Sequence, residues 1–540
     1  MREMKEIEFN LLDEPWIRVM KPDCSVIEVS LTDALLYAHE YEDLAGELPT
    51  QDIAVLRVLL AVLHTVFSRV DPEGNLEPLD EENALERWSE LWNAKKFPEK
   101  PIRDYLEQWH ERFWLFHPER PFFQVPEAEI GTEYAAPKLN GEVSESSNKV
   151  RLFSSRFGSS KEILSYSEAA RWLINTNAFD DTSAKPKGKN LPSVGAGWLG
   201  KLGLIIAQGH NLFETLMLNL KFLKDMNTVW EPNKPVWELT VPRKGERTEI
   251  PVPNNPASLY TLQSRRLILI RNAESVSGFK LLGGDFFQKE NAYPTEPMTI
   301  WRPILDSKKN PIGFQPWRHD ESRQVWRNFP AIVGNDNISK RSGIVSWLNI
   351  LVSSEEIENL SRSDIVRFKI ASVQYGDKDF FVANIFSDFL SFHAGLLTDS
   401  GKQWQERIKT ELIFIDNIAR LVWRLASDLM TASGGENAEF ANRAKEQYYF
   451  RINESFRTWI MSLSSDQNPE EMNELQMEWR KKAQATARAL GQELVEQSGP
   501  KTFAGRKLID KNNKEYFYSS PEAFNMFTIR LNHIYDSKGA

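Results

Sequence analysis

Trp404–Leu429, WQERIKTELIFIDNIARLVWRLASDL, sets Trp404, Ile408, Leu412, Ile415, Ile418, Val422, Leu425 and Leu429 at steps of three and four. That spacing places them on one face of an α-helix, the stripe a helix buries against its neighbours. Ser433-Gly434-Gly435 ends the run, since glycine accepts the left-handed backbone that closes a helix. A second helix follows, to about Leu463. Asn468-Pro469-Glu470-Glu471 opens a third, with Asn468 as cap, Pro469 in the first turn and Glu471 placed to close a capping box. Its face carries Leu475, Trp479, Ala483, Thr486, Leu490 and Leu494, and it halts at Gly499-Pro500; Ser520-Pro521 opens a last helix. With Asp379–Gly395 leading in, residues 376–540 are expected to form an antiparallel four-helix bundle.

Upstream of Gly376 proline is common and the pattern mixed. Trp16–Met20 and Val26–Val29 flank the Lys21-Pro22-Asp23 turn and read as a hairpin. Gln51–Val70 is apolar almost all round and stops at Asp71-Pro72-Glu73-Gly74, as a buried helix would. Further helices are expected at Glu81–Ala94, Ile102–Phe116, Ser167–Asn175 and Ile344–Val352, and strands at Trp237–Val241, Leu267–Ile270 and Val366–Val373. Gly131–Ser165 and Asp180–Gly200 lack a period and read as long loops, the kind that carry function. The fold class is α+β: a large mixed α/β domain with irregular loops over 1–375, then a C-terminal four-helix bundle.

At 540 residues, 41% hydrophobic and 26% charged, the chain is neither disordered nor fibrous. Its longest apolar runs, such as Ile53–Val62, contain Arg57 and fall short of the ~20 residues of a membrane span. The start, Met1-Arg2-Glu3-Met4-Lys5-Glu6, has no apolar stretch of a secretory signal. The lone Cys24 excludes an internal disulfide and a cysteine-rich zinc site. A cytoplasmic protein without membrane partners is expected. The net charge of −10 repels nucleic acid at long range, yet three stretches hold bases and no acid. They are Ser146–Lys161 with Lys149, Arg151, Arg156 and Lys161; Thr182–Phe213 with Lys185, Lys187, Lys189 and Lys201; and Ile250–Ala273 with Arg265, Arg266 and Arg271.

Catalytic signatures are weak. Gly195-Ala196-Gly197-Trp198-Leu199-Gly200 fits G-x-G-x-x-G, but Lys187–Ser193 before it is no buried strand, and a dinucleotide site needs one. The loop's glycines then serve a tight turn. The eight histidines are scattered without metal-ligand spacing, and His64 reads as a satisfied core residue. Asp180-Asp181 beside a basic loop allows an alternative, a Mg²⁺-dependent nuclease, although adjacent loop residues rarely share one ion. No P-loop or nucleophile elbow occurs. Thus no enzyme, metal or cofactor is expected. Most of the 17 Trp and 31 Phe must be core, but Phe153, Phe157 and Phe380-Phe381 lie in polar or basic loops. Such side chains can stack on exposed bases or wedge between base steps.

Several strings in order resemble the CasA family, large subunits of type I-E CRISPR Cascade surveillance complexes. They are Phe9–Val19 (FNLLDEPWIRV) with Val29-Ser30-Leu31, His117–Gln124 (HPERPFFQ), Gly197–Gly203 (GWLGKLG), Asn211–Leu216 (NLFETL) and Pro256–Arg266 (PASLYTLQSRR). The resemblance spans nearly the whole chain. It implies a non-catalytic subunit that recognises the protospacer-adjacent motif (PAM) in double-stranded target DNA. Such a subunit starts strand separation, binds other Cascade subunits and crRNA, and recruits an effector helicase-nuclease; a purely structural scaffold is the other reading. It further implies a PAM-proximal docking loop at Leu152–Ser165 with Phe153, Arg156 and Lys161. A PAM loop falls at Ser183–Asn190, where Gly188 stands among Lys185, Lys187 and Lys189. A minor-groove lysine falls at Lys280, and a wedge hairpin at Gly376-Asp377-Lys378-Asp379-Phe380, where charged side chains replace the amides of other members. The cysteine cluster of some members is absent, so no zinc is implied.

Overall fold

The computed structural model describes residues 6–144, 149–150, 156–181, 191–272, 274–334, 339–354, 360–435, 438–509 and 515–534. They form two units, one from 1–323, 335–361 and 366–389, the other from 324–334, 362–365 and 390–540. The change of unit falls between Phe389 and Leu390, inside the strand Val382–His393, later than the change of composition at Gly376. The hairpin that begins at Gly376 belongs to the first unit.

The first unit is built on the helix Pro49–Phe67, buried on every side. It is long and apolar enough to cross a membrane, but 94% of that stretch is buried inside the protein, as in a core helix. Arg57 within it forms a two-pronged pair with Glu296 at 3.0 Å, which keeps its buried charge compensated. The helices Tyr166–Phe179, Pro256–Tyr260, Glu99–Gln108 and Leu212–Asn219 pack against it, and the strands of this unit form several small sheets. Ile17–Met20 and Val26–Val29 pair as the expected hairpin. Arg265–Arg271, Val276–Gly283 and Thr132–Ala135 form one three-stranded sheet, and Val382–His393, Ile365–Tyr375 and Gly203–Gln208 another. Three expectations are corrected. The helix expected over Ile102–Phe116 ends at Gln108, and Trp114–Phe116 pairs instead with Glu8–Asn10. Trp237–Val241 is no strand: Val236–Glu238 is a 3-10 turn whose Trp237 indole donates to Tyr105 Oη at 2.8 Å. The stretch Gly131–Ser165 is not all loop, since Thr132–Ala135 pairs along Val276–Gly283.

The second unit contains Lys402–Ser433, Ala438–Met461, Pro469–Glu496 and Ser520–His533. Trp404, Ile408, Ile415, Ile418, Val422, Leu425 and Leu429 are buried along the first of these, as the spacing requires. Gly434 closes it at φ +91°. Asn468 Oδ1 accepts from the Glu470 and Glu471 amides at 2.9 and 3.1 Å, and Glu471 accepts from the Asn468 amide at 3.0 Å, completing the expected box. The lead-in contains the strand Val382–His393, and a hairpin of Arg506–Ile509 with Glu515–Tyr518 precedes the last helix.

Candidate nucleic-acid interface

Strand Val276–Gly283 joins the candidate segments. Leu164 and Val276 exchange backbone hydrogen bonds of 2.9 and 2.8 Å, fixing the end of the 156–165 loop to the start of this strand. Lys280 sits midway, opposite Ile268 on one side and Glu133 on the other. At the far end a Cβ on Gly283 would meet Arg247 at 2.8 Å and Val194 at 3.2 Å, so both lie against the backbone there. Arg247 and Val194 line a cleft of about 680 Å³ whose other walls include Lys201, Lys289, Arg302, Trp317, Arg318 and Asp379. The cleft therefore lies ~10 Å of extended strand from Lys280, beside the end of the lysine-rich loop and the turn of the hairpin.

The hairpin turn is fixed by three features. Gly376 lies under the Phe381 ring, which a Cβ would meet at 2.2 Å. The Gly376 amide donates to Phe381 O at 2.8 Å. Lys378 and Asp379 both hold left-handed backbone, at φ +53° and +61°, a conformation costing non-glycine residues roughly 1–2 kcal/mol each. Arg318 binds the Asp379 carboxylate at 3.1 and 3.4 Å while its guanidinium lies over the Tyr375 ring. Phe381 is thus part of the turn, whereas Lys378 and Phe380 are exposed.

Several expected DNA contacts are engaged inside the protein. Arg156 donates to Glu47 at 2.6 Å and pairs with Glu168 at 3.1 Å, its side chain nearly covered. Two carboxylates hold it, so a phosphate would have to displace both to reach it. Phe157 next to it is 84% exposed and remains available. Lys161 lies 3.9 Å from Glu142 and is partly exposed. Lys280 pairs with Glu129 on the surface; such a pair contributes only ~0–1 kcal/mol, so a phosphate can displace it. The third basic stretch is not a patch at all. Arg265 donates to Asp180 at 2.6 Å and to four carbonyls, Arg266 is buried against Asp285, and Arg271 pairs with Glu8 at 2.9 Å. Phe153, Lys185, Lys187, Gly188 and Lys189 lie outside the described residues.

The proposed metal carboxylates are also engaged. Lys138 Nζ lies 2.7 Å from Asp181 and 3.7 Å from Asp180, all three buried. Burial works against the Lys138 ammonium, and the two carboxylates outweigh it, holding the lysine above its ordinary range. With Lys138 and Arg265 in place the pair is neutralised and has no call for Mg²⁺. The glycine motif is a packing device: a Cβ on Gly197 would meet Ala178 O at 2.3 Å, and one on Gly200 would meet the Tyr375 hydroxyl at 2.1 Å. His64 is buried as expected but not satisfied, since neither ring nitrogen has a hydrogen-bond partner; it packs against Phe222 and Tyr260.

Sequence reasoning missed the cleft's own cations. Arg247, Lys289 and Arg318 each lie within two residues of an acid (Glu246 and Glu249, Glu290, Asp320) and Arg302 stands alone, so no acid-free charge run marks them. Together with Lys201 they face two carboxylates, Glu290 and Asp379, and Asp379 is taken by Arg318. Burial and the neighbouring Arg265, Lys289 and Arg247 push Lys201 down to about 8, as expected for a cation in an undercompensated positive field.

The family model described as CRISPR-associated protein Cse1 matches residues 10–490. A relative, CRISPR-associated protein CasA/Cse1 of Thermus thermophilus, is 31% identical over 441 residues, 79% of each chain. Among solved structures, Thermobifida fusca Cse1 superposes with a TM-score of 0.81 at 27% identity, covering 98% of both chains. A chain of a CRISPR RNA-guided surveillance complex shares the fold, with a TM-score of 0.70 at 15% identity over 97% of this chain and 99% of that one. With strand, cleft and bundle in one order and these matches across nearly its full length, the chain belongs to the CRISPR-associated protein Cse1 family.

Proposed function

We propose that this chain is the large, non-catalytic subunit of a cytoplasmic crRNA-guided type I-E surveillance complex. It recognises the PAM in duplex DNA, starts strand separation and recruits an effector helicase-nuclease. Family membership and the shared fold with a chain of such a complex support the placement. The observation that carries the mechanism is the hairpin tip, where two consecutive left-handed residues present Lys378 and the exposed Phe380. An apolar side chain inserted at a base step can offset part of the few kcal/mol that unstacking costs, and guide pairing supplies the rest. Lys280 with loop backbone in the minor groove would read its degenerate pattern and so tolerate several PAM sequences. A net charge of −10 keeps binding by the chain alone weak, as rapid sampling of duplex requires.

The test is a competition gel shift with the reconstituted complex. Lys280→Ala, or Lys378→Ala with Phe380→Ala, is expected to weaken capture of PAM-bearing duplex about tenfold more than capture of pre-opened DNA. Equal losses on both substrates would remove the wedge.

A further inference from the structure

We propose that the cleft beside the hairpin receives one unpaired nucleotide of the DNA strand displaced there, its phosphate held by Lys201, Arg247, Lys289 and Arg302 and its base set against Trp317. This rests on the strand-opening reading and adds a ligand, a site and a strand to it.

Size decides against a duplex. About 680 Å³ lies within the ~300–1,000 Å³ of small-molecule pockets, room for a nucleotide and not for a double helix. Charge decides for an anion. Elsewhere in this unit Arg57, Arg69, Arg156, Arg171, Arg265 and Arg266 are each matched to a carboxylate. Among the described residues, Arg247 in the cleft donates to the backbone carbonyls of Pro192 and Ser193 and stacks over Phe286, with no carboxylate in hydrogen-bond contact. No carboxylate lies within ion-pair distance of Lys201, Lys289 or Arg302 among the described residues. Burying part of this charge without a counter-ion is unfavourable, and a phosphodiester relieves it. Trp317 adds an aromatic surface on the same wall, of the kind on which an unstacked base gains ~1–3 kcal/mol. Asp379 belongs both to the turn and to the cleft lining, so a strand parted at Phe380 would pass the cleft mouth.

The experiment measures anisotropy of a labelled forked duplex and its fully paired counterpart with the full-length chain across a potassium chloride series. Lys289→Gln with Arg302→Gln touches one half-buried and one exposed position, and Trp317→Ala removes the aromatic surface without changing charge. The double variant is expected to lose about tenfold in affinity for the fork and to flatten its salt dependence by about 0.7 per lost single-strand contact. Trp317→Ala is expected to weaken the fork with the slope retained. Fork binding unchanged in affinity and slope in the double variant would overturn the proposal. The two readings fail separately: a duplex-specific defect in Phe380→Ala with an unchanged cleft variant leaves the wedge standing alone. The converse leaves the cleft alone.

Discussion

Asp181, Lys138 and Asp180 form a buried triad, and breaking it separates a structural from a metal-binding role. Asp181→Asn leaves Lys138 with only the more distant Asp180, and urea denaturation is expected to show a loss near the lower end of the ~3–5 kcal/mol of broken buried pairs. Mg²⁺ should not change the stability of the unaltered chain; stabilisation by the ion would restore the metal reading. Gly197→Ala presses a methyl onto Ala178 O and is expected to cost about 1–3 kcal/mol by the same measurement. At this scale the sequence was legible where chemistry is local. The glycine string lacked its strand, and the structure gives the glycines packing partners instead. Arg265 and Arg266 were not legible, because their carboxylates lie up to 85 residues away or on the facing strand end.

Elements were legible when their signal is periodic or capped. Lys402–Ser433 and Pro469–Glu496 follow from apolar spacing and an Asn-Pro-Glu-Glu start. Trp114–Phe116 did not, because three residues carry no period and its partner Glu8–Asn10 is about a hundred residues away. Val382–His393 is mostly half-buried or exposed and mixes apolar with polar residues on both faces (Val382, Asn384, Phe386 and Asp388 on one; Ala383, Ile385, Ser387 and Phe389 on the other), so no alternation marked a strand. The buried elements also set a pH response. Burial pushes His64 in the core helix down to about 3 and His319 down to about 4. The unfolded chain takes up both protons near pH 6.5, so stability is full above that pH and falls below it, by ~2 kcal/mol per histidine down to pH 5. Asp52, raised to about 6 by burial, takes a proton in the folded state first and returns about 1.4 kcal/mol over the last unit. Thermal unfolding is expected to show a net loss from pH 7 to 5, and His64→Leu should remove about half of the histidine share. A curve equally steep in that variant would contradict the assignment.

Across the molecule, charge has been sorted. An acidic chain matches most arginines of its first unit with internal carboxylates and leaves a cationic cleft beside an exposed hairpin. The acid-free stretches pointed to this neighbourhood through Lys201 and the family resemblance through Lys280, while Arg247, Lys289, Arg302 and Arg318 converge only in three dimensions. The most direct measurement places 2-aminopurine at the first base pair beside the PAM and follows its fluorescence as the crRNA-loaded complex binds. Strand opening by the hairpin requires a rise with the unaltered chain and, at equal occupancy, a markedly smaller rise with Lys378→Ala/Phe380→Ala. An identical rise in both would show that the hairpin does not part the duplex.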